Sequence, residues 1–341
     1  MISKETISNN LKRFKIKYIQ FDLNGVCNAK CWYCPIKYEP QAKRQNISIE
    51  DVKKILDNIT DEKGKLIMPL LNTLFTSHYN EIVLYPYFED LLILLEERQL
   101  KIVILSNGVG FTKKITDSIK KYNKAVSLIN FNIPAIEKNE WSKQTGFPIE
   151  KHQVLIENLD YLMETLPQMV LEKKISVGMN GINEKTLLEN GGWIERLENF
   201  PNVTEDTLFE QYWKFLDLYP NLRIYQMVNL HDRDSYLEKN KIYTLSKTIE
   251  KRKNDKHVLG CRDEFTQPNE EDLSGRLYVW LHINSFGDLF LCCNDYNQNT
   301  KLGNILESNI NDIWFSEKHV DVIYNELNFG MCTNCIHGYK K

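Results

Sequence analysis

Residues 27–34 read CNAKCWYC and follow directly on a β-rich run, 18–23, that ends at Asn24-Gly25. Three closely spaced thiolates can each bind one iron of a cubane 4Fe–4S cluster, which leaves the fourth iron open to a small molecule. A closed zinc site, the structural alternative, requires four ligands, and this loop supplies three. The spacing therefore predicts a reactive 4Fe–4S cluster held by Cys27, Cys31 and Cys34.

Downstream of this loop, β-rich runs alternate with helical patterns, which is typical of βα units that form a parallel sheet. The predicted strands are 18–23, 73–77, 102–105, 126–133, 175–179 and 222–228. The predicted helices include 48–59, 150–164 and 184–197. Six such units predict an α/β fold, a partial (β/α)6 TIM-like barrel, over residues 1–230.

The remaining residues, 231–341, have a different character and predict a second, small domain. Residues 231–256 are heavily charged and predict an exposed linker helix, and the strand-like runs 277–283 and 289–292 flank a hairpin signal at Phe286-Gly287-Asp288. The five cysteines of this region are Cys261, Cys292, Cys293, Cys332 and Cys335. A C-x2-C pair with further cysteines in one small domain indicates a four-thiolate metal site. Spacing alone leaves zinc, with His282 or His337 as extra ligands, and iron–sulfur equally open.

The net charge and the distribution of apolar residues limit the classes of partner that the chain can bind. A net charge of -3 gives no reason to expect binding to nucleic acid or to an anionic membrane. The N-terminal residues lack the apolar core of a secretory signal, and no apolar run is long enough to span a bilayer. We therefore expect a cytoplasmic protein, in which clustered cysteines favour metal sites over disulfides.

The C-x3-C-x2-C motif after the first strand of an incomplete barrel resembles that of the radical S-adenosylmethionine (SAM) superfamily. The resemblance implies that the open iron chelates the amino and carboxylate groups of SAM. One electron then releases a 5′-deoxyadenosyl radical, which abstracts a hydrogen atom from the substrate. It also implies that Tyr33, the aromatic residue before the last cysteine, packs beside the adenine.

The same resemblance suggests where SAM is bound. The family's second strand commonly ends in Gly-Gly-Glu, whose groups hold the ammonium of SAM, whereas residues 78–81 here are HYNE. Glu81 keeps the carboxylate and Asn80 precedes it, but both glycines are missing. The turn of Ser106 and Asn107 matches a polar turn at the end of the third strand. Asn130, Asn132 and Asn180 are candidate ribose ligands, and an ordinary strand-end role is equally open for each.

The tail resembles the SPASM/twitch extension of the same superfamily, in which a Gly-x4-Cys hairpin and a terminal C-x2-C bind auxiliary 4Fe–4S clusters. Full SPASM domains use more cysteines, for two clusters, than the five present here, so we expect a twitch-like form with one cluster. Its expected ligands are Cys261, Cys292, Cys332 and Cys335. Cys293 is left over as a substitute ligand, a hydrogen-atom donor or a buried small residue.

The resemblance implies an oxidoreductase of natural-product biosynthesis that oxidises a substrate radical through the auxiliary cluster, with flavodoxin or ferredoxin as electron donor. A small polar metabolite such as a sugar or aminocyclitol is the favoured substrate. The 17 residues before the first strand are too few for a leader-peptide-binding element. The alternatives are modification of a ribosomally made peptide and, in another class, a zinc-stapled binding module without catalytic activity.

Overall fold

The computed structural model describes residues 2–31, 34–38, 45–59, 73–76, 79–179, 205–226, 258–261, 275–333, 335 and 338–340. The contacts of the chain divide it into two compact units. Unit 1 comprises Met1–Phe21, Glu50–Asn72 and His231–Lys341, and unit 2 comprises Asp22–Ile49 and Thr73–Leu230. The predicted helices at 184–197 and 231–256 lie outside the described residues. The domains expected from the sequence, 1–230 and 231–341, stay a prediction.

The helices and strands are named here in chain order. The described helices are α1 Lys4–Arg13, α2 Ile49–Asn58, α3 Phe88–Glu97, α4 Lys113–Lys121, α5 Lys138–Thr145, α6 Lys151–Thr165, α7 Pro167–Leu171, α8 Glu205–Leu218, α9 Gly275–Val279, α10 Ile310–Trp314 and α11 Glu317–Asn328. The described strands are β1 Tyr18–Phe21, β2 Thr73–Phe75, β3 Lys101–Ser106, β4 Val126–Asn132, β5 Ile175–Met179, β6 Arg223–Gln226, β7 Val258–Cys261, β8 Trp280–Ile283, β9 Asp288–Phe290, β10 Lys301–Asn304 and β11 Gly338–Lys340.

Unit 2 contains a parallel sheet in the order β2-β3-β4-β5-β6. Helices separate its successive strands, as in βα units. The fold is thus the predicted α/β class with a parallel sheet. The first of the six predicted strands, β1, belongs to unit 1.

The two faces of the unit 2 sheet differ in polarity because successive side chains of a strand point to opposite sides. On one face Ile104, Ile129 and Val177 are fully buried and apolar. The register pairs Asn130 with Ser176 and Asn132 with Gly178, and these positions share the other face. The alternation therefore gives the sheet one apolar face and one partly polar face.

Unit 1 contains strands in the order β10-β9-β8-β1, in which β8 pairs with β1 in parallel and with β9 in an antiparallel hairpin. Gly287 in the hairpin turn has φ +78°, a left-handed conformation that glycine adopts without steric cost. The hairpin predicted around this residue is confirmed. The strand predicted at 277–283 is only partly correct, because the helix α9 occupies 275–279 and the strand begins at Trp280.

The N-terminal helix α1 was missed because its composition is strongly polar. Ser3 caps it by accepting a hydrogen bond from the N–H of Thr6, and Ile7 and Leu11, four residues apart on one face, are buried.

Among the described residues, no helix is both long and apolar enough to cross a membrane.

Candidate cofactor and cluster sites

The first cysteine group lies in a loop of unit 2. Cys27, Cys31 and Cys34 are partly exposed and form no disulfide bond, and the N–H of Cys34 donates to the carbonyl of Cys31 at 3.0 Å. The N–H of Lys30, between the first two cysteines, donates to the carbonyl of Thr145 at the end of α5 at 2.8 Å. The loop is thus fixed by backbone hydrogen bonds, within itself and to a neighbouring helix. Tyr33 lies outside the described residues, so its role beside adenine stays a prediction.

Glu81 is tied to this loop by two hydrogen bonds and to the turn after β3 by a third. Its N–H donates to the carbonyl of Val26 at 2.7 Å, and its carbonyl accepts from Asn24 Nδ2 at 3.0 Å. Its carboxylate Oε2 accepts from the N–H of Asn107 at 2.7 Å. These bonds hold the Glu81 backbone and one carboxylate oxygen at defined positions beside the cysteine loop.

The other carboxylate oxygen of Glu81 is the unusual feature of the site. The residue is 1% exposed, and Oε1 makes no hydrogen bond within the described part of the chain. Burial raises the pKa of Glu81 to about 7, although the N–H of Asn107, the Ser106 hydroxyl and the N–H of Val83 act to lower it. A buried carboxylate with an unsatisfied oxygen is stabilised by a cation. The ammonium of SAM has the charge and the donors that this oxygen requires.

Asn107 connects Glu81 with the cysteine loop. Its side-chain Nδ2 donates to Asn28 Oδ1 at 2.7 Å and lies 4.0 Å from Cys27 Sγ. Its Oδ1 accepts from the N–H of Val109 at 3.0 Å, which orients the amide. The predicted site residues Glu81, Asn107 and Cys27 are therefore brought together by direct contacts.

Asn80 has a supporting position in the described structure. Its Nδ2 donates to Asn24 Oδ1 at 2.8 Å, and Asn24 in turn donates to Glu81. Sequence reasoning missed Asn24 and Asn28, although both flank the cysteine motif in a polar loop. Their signal was the asparagine-rich composition of this loop, since asparagine side chains commonly satisfy backbone groups there.

The remaining SAM candidates are less closely connected to this network. The Ser106 hydroxyl accepts from the N–H of Gly108 at 3.0 Å and so shapes the turn after β3. Asn130 is buried and Asn132 partly buried, on the same face of β4. Contact of either with ribose stays a prediction, and Asn180 lies outside the described residues.

The second cysteine group lies in unit 1. Cys292, Cys293 and Cys332 are buried, and Cys261 and Cys335 are partly exposed. Burial and the neighbouring Cys335 raise the pKa of Cys261 to about 12, and a hydrogen bond with Cys293 together with burial raises that of Cys292. These mutual effects place Cys261, Cys292, Cys293 and Cys335 near one another.

Asn294 links two of these thiols and was not predicted. Its N–H donates to Cys292 Sγ at 3.4 Å, and its Nδ2 donates to Cys335 Sγ at 3.5 Å. N–H donors on sulfur are a means by which proteins orient thiolate ligands and tune iron–sulfur clusters.

The donor chemistry of both groups suits iron–sulfur clusters. None of the eight cysteines forms a disulfide bond in the structure. Thiolates are the usual protein ligands of iron–sulfur clusters, in which each thiolate binds a different iron.

Comparison with known proteins identifies the family. The model of the "Radical SAM superfamily" matches residues 23–191, and that of SPASM, an "Iron-sulfur cluster-binding domain", matches residues 276–336. The chain belongs to the radical SAM superfamily, in its SPASM/twitch subgroup. The cofactors of this family are SAM, a 4Fe–4S cluster and auxiliary iron–sulfur clusters. The SPASM match includes four of the five tail cysteines, and Cys261 precedes it.

Solved radical SAM enzymes have the same fold. BtrN in complex with AdoMet and 2-DOIA has a TM-score of 0.54 at 14% identity, covering 94% of this chain and 91% of BtrN. SuiB of Streptococcus suis bound to precursor peptide SuiA has a TM-score of 0.54 at 16% identity, covering 98% and 76%. Native anSMEcpe with bound AdoMet has a TM-score of 0.56 at 11% identity, covering 94% and 86%. No curated protein matches the sequence significantly.

Proposed function

We propose that this radical SAM enzyme dehydrogenates a small polar metabolite, such as a sugar or aminocyclitol, in a natural-product pathway, with an auxiliary 4Fe–4S cluster accepting the electron of the substrate radical. The observation that carries the proposal is the buried Glu81 carboxylate, with one unsatisfied oxygen, beside the Cys27–Cys34 loop. When bound, SAM and the first cluster supply a 5′-deoxyadenosyl radical that takes a hydrogen atom from a substrate carbon.

The residues of this chain have separate tasks in the proposal. Cys27, Cys31 and Cys34 hold the first cluster. Glu81 binds the ammonium of SAM through Oε1, while Asn107 fixes Oε2 and, through Asn28, the cysteine loop. The groups that act on the Glu81 carboxylate, the N–H of Asn107, the Ser106 hydroxyl and the N–H of Val83, are all neutral.

The ligands of the auxiliary cluster are proposed to be Cys261, Cys292, Cys332 and Cys335, with Cys293 as a substitute. The thiolate-only donor set and the SPASM match support this assignment. Together the two clusters would allow the removal of one hydrogen atom, one electron and one proton from the substrate, which is a dehydrogenation.

The choice of a small metabolite is supported by the similarity to BtrN. BtrN was solved with 2-DOIA, and its match covers 94% of this chain at a TM-score of 0.54.

Modification of a ribosomally made peptide is the second candidate. It is supported by SuiB and by anSMEcpe, which was solved with AdoMet and Cp18Cys peptide and of which this chain covers 84%.

The alternative of another class, a zinc-stapled binding module, predicts a colourless protein that contains zinc. Two cubane clusters predict a brown protein with about eight irons.

The experiment that tests the proposal is an anaerobic assay with SAM and dithionite, in which panels of deuterated aminocyclitols, sugars and peptides compete for the enzyme. Transfer of deuterium into 5′-deoxyadenosine, with a product two mass units lighter than its unlabelled substrate, is expected for a small hydroxylated substrate. Deuterium transfer only from peptides would replace the first candidate by the second.

We propose that flavodoxin or ferredoxin is the electron donor that dithionite replaces in this assay. We also propose a cytoplasmic location.

A further inference from the structure

Arg276 is a buried cation within the second cysteine group. Its side chain is 7% exposed, and its Nη1 donates to Cys293 Sγ. Its guanidinium also lies over the Trp280 ring, 5.4 Å from the centroid. Trp280 stacks on Tyr18 at 4.7 Å and on His282 at 5.7 Å, so the surface that supports Arg276 is itself firmly packed.

Arg276 also lies near two of the expected cluster ligands. Cys293, which it contacts, directly follows Cys292 in the sequence. Helix α9, which carries Arg276, packs against strand β7, which ends at Cys261.

The buried guanidinium of Arg276 places a positive charge beside the thiol of Cys293. A cubane bound by four thiolates is a net negative group, and reduction adds a further negative charge. A fixed cation beside the thiolates stabilises the reduced state more than the oxidised state. Net charge and hydrogen bonds to sulfur are among the factors that set the reduction potential of such clusters.

We propose that Arg276 is the charge-compensating residue of the auxiliary cluster and raises its reduction potential, which makes the cluster a better electron acceptor. This inference rests on the proposed auxiliary cluster. Trp280 keeps the guanidinium in place, and Cys293 is the sulfur through which Arg276 contacts the thiolate group.

The test uses the full-length chain in which Cys27, Cys31 and Cys34 are replaced with Ala, so that only the auxiliary cluster contributes iron and spectroscopic signal. Arg276→Gln and Arg276→Lys are introduced into this parent and reconstituted anaerobically. Arg13→Gln is the matched control, because Arg13 is an exposed arginine of the same unit that also lies over an aromatic ring. Iron content and the midpoint potential, from a redox titration followed by electron paramagnetic resonance, are measured for each.

Arg276→Gln is expected to shift the midpoint potential to a more negative value, with Arg276→Lys closer to the parent and Arg13→Gln unchanged. Loss of the cluster in Arg276→Gln but not in Arg276→Lys would support the same role. An unchanged potential in Arg276→Gln, or equal shifts or equal cluster loss in both Arg276 variants, would overturn the inference alone. A parent that binds zinc, or no metal, would overturn the auxiliary cluster as well.

Discussion

Glu81 is the residue whose surroundings bear most directly on the proposed SAM site. Its carboxylate is buried, one oxygen is held by the N–H of Asn107, and burial keeps the pKa near 7. The ionised form is therefore destabilised without a cation and stabilised with one. Two measurable consequences follow, one for binding and one for stability.

Glu81→Gln is expected to weaken SAM binding about 10- to 150-fold, because a charge-assisted hydrogen bond contributes about 1.5–3 kcal/mol. Equilibrium binding to the reconstituted protein measures this loss. Glu89→Gln, at a carboxylate on α3 of the same unit, is the control and should bind normally. An unaltered dissociation constant for Glu81→Gln would mean that the ammonium is bound elsewhere.

The pH dependence of stability isolates the same group. With a folded pKa near 7 against 4.5 for the free group, Glu81 favours the folded state fully below pH 4.5, and this contribution is lost as the pH rises through 7. The free energy of unfolding of the cluster-free and SAM-free protein should thus fall by about 3 kcal/mol across that window, relative to that of Glu81→Gln. Urea unfolding of both proteins at several pH values measures the difference.

The comparison with Glu81→Gln is needed because the titration of His319 changes the stability with pH in the opposite direction. Burial lowers the pKa of His319 to about 4, so its contribution to stability is lost as the pH falls. This effect is common to both proteins and cancels. A difference between them that is constant from pH 4.5 to 7 would show that Glu81 titrates normally.

Among the elements, helix α5 contributes to the site through its C-terminal end. Gly146 follows the helix with φ +72°, and a Cβ added there would lie 2.7 Å from the Lys30 carbonyl oxygen and 2.9 Å from Lys30 Cβ. The carbonyl of Thr145 accepts from the Lys30 N–H. The helix end therefore packs against the backbone between Cys27 and Cys31.

Gly146→Ala is expected to remove most of the iron of the first cluster, about four per chain, and most 5′-deoxyadenosine formation. The left-handed conformation costs alanine about 1–2 kcal/mol, and the Cβ displaces the cysteine loop. Iron analysis and product quantification are the measurements. Gly303→Ala is the control, since the three atoms nearest to its Cβ belong to the Ile313 side chain and lie 3.1–3.2 Å away. Full iron content and activity in Gly146→Ala would contradict the contact.

Elements with strong periodicity were predictable from the sequence, and those that depend on distant partners were not. The strand 175–179 was predicted with its observed bounds, because it is a short β-rich run. Helix α6 was predictable because its leucines repeat on one face. Helix α5 was missed, since its composition is polar and it is buried against other parts of unit 2. The parallel pairing of β1 with β8 joins residues more than 250 positions apart, which no local pattern encodes.

In the candidate site, too, residues within a sequence motif were predictable and residues that depend on distant partners were not. Glu81 and the cysteines were found because a motif carries them. Asn24, Asn28 and Asn294 were missed because only the folded chain reveals which backbone groups and sulfur atoms their amides reach. Single amides without a spacing pattern leave no sequence signal specific enough to assign a role.

At the scale of the whole molecule, the two cysteine groups belong to different compact units. Cys27, Cys31 and Cys34 lie in unit 2, and the five tail cysteines lie in unit 1. Each group has its own supporting hydrogen bonds within its unit. The two clusters should therefore be separable by mutation.

Replacing Cys332 and Cys335 with Ala is expected to remove about four irons and abolish product, while cleavage of SAM continues uncoupled from product formation. The reason is that hydrogen abstraction needs the first cluster only, whereas oxidation of the substrate radical needs an acceptor. Iron analysis and chromatography of products measure both effects, in protein that remains monodisperse, since metal binding also stabilises so small a domain. Product formed at the normal rate would assign the tail a purely structural role.

The central claim is that Cys27, Cys31 and Cys34 hold the cluster that cleaves SAM, and the most direct test is 5′-deoxyadenosine formation by the variant with all three replaced by Ala. Without these thiolates the cubane has no ligands. With dithionite and SAM under anaerobic conditions, we expect no 5′-deoxyadenosine from this variant, which still retains about four irons in its tail. Formation of 5′-deoxyadenosine at the rate of the unmodified protein would contradict the account.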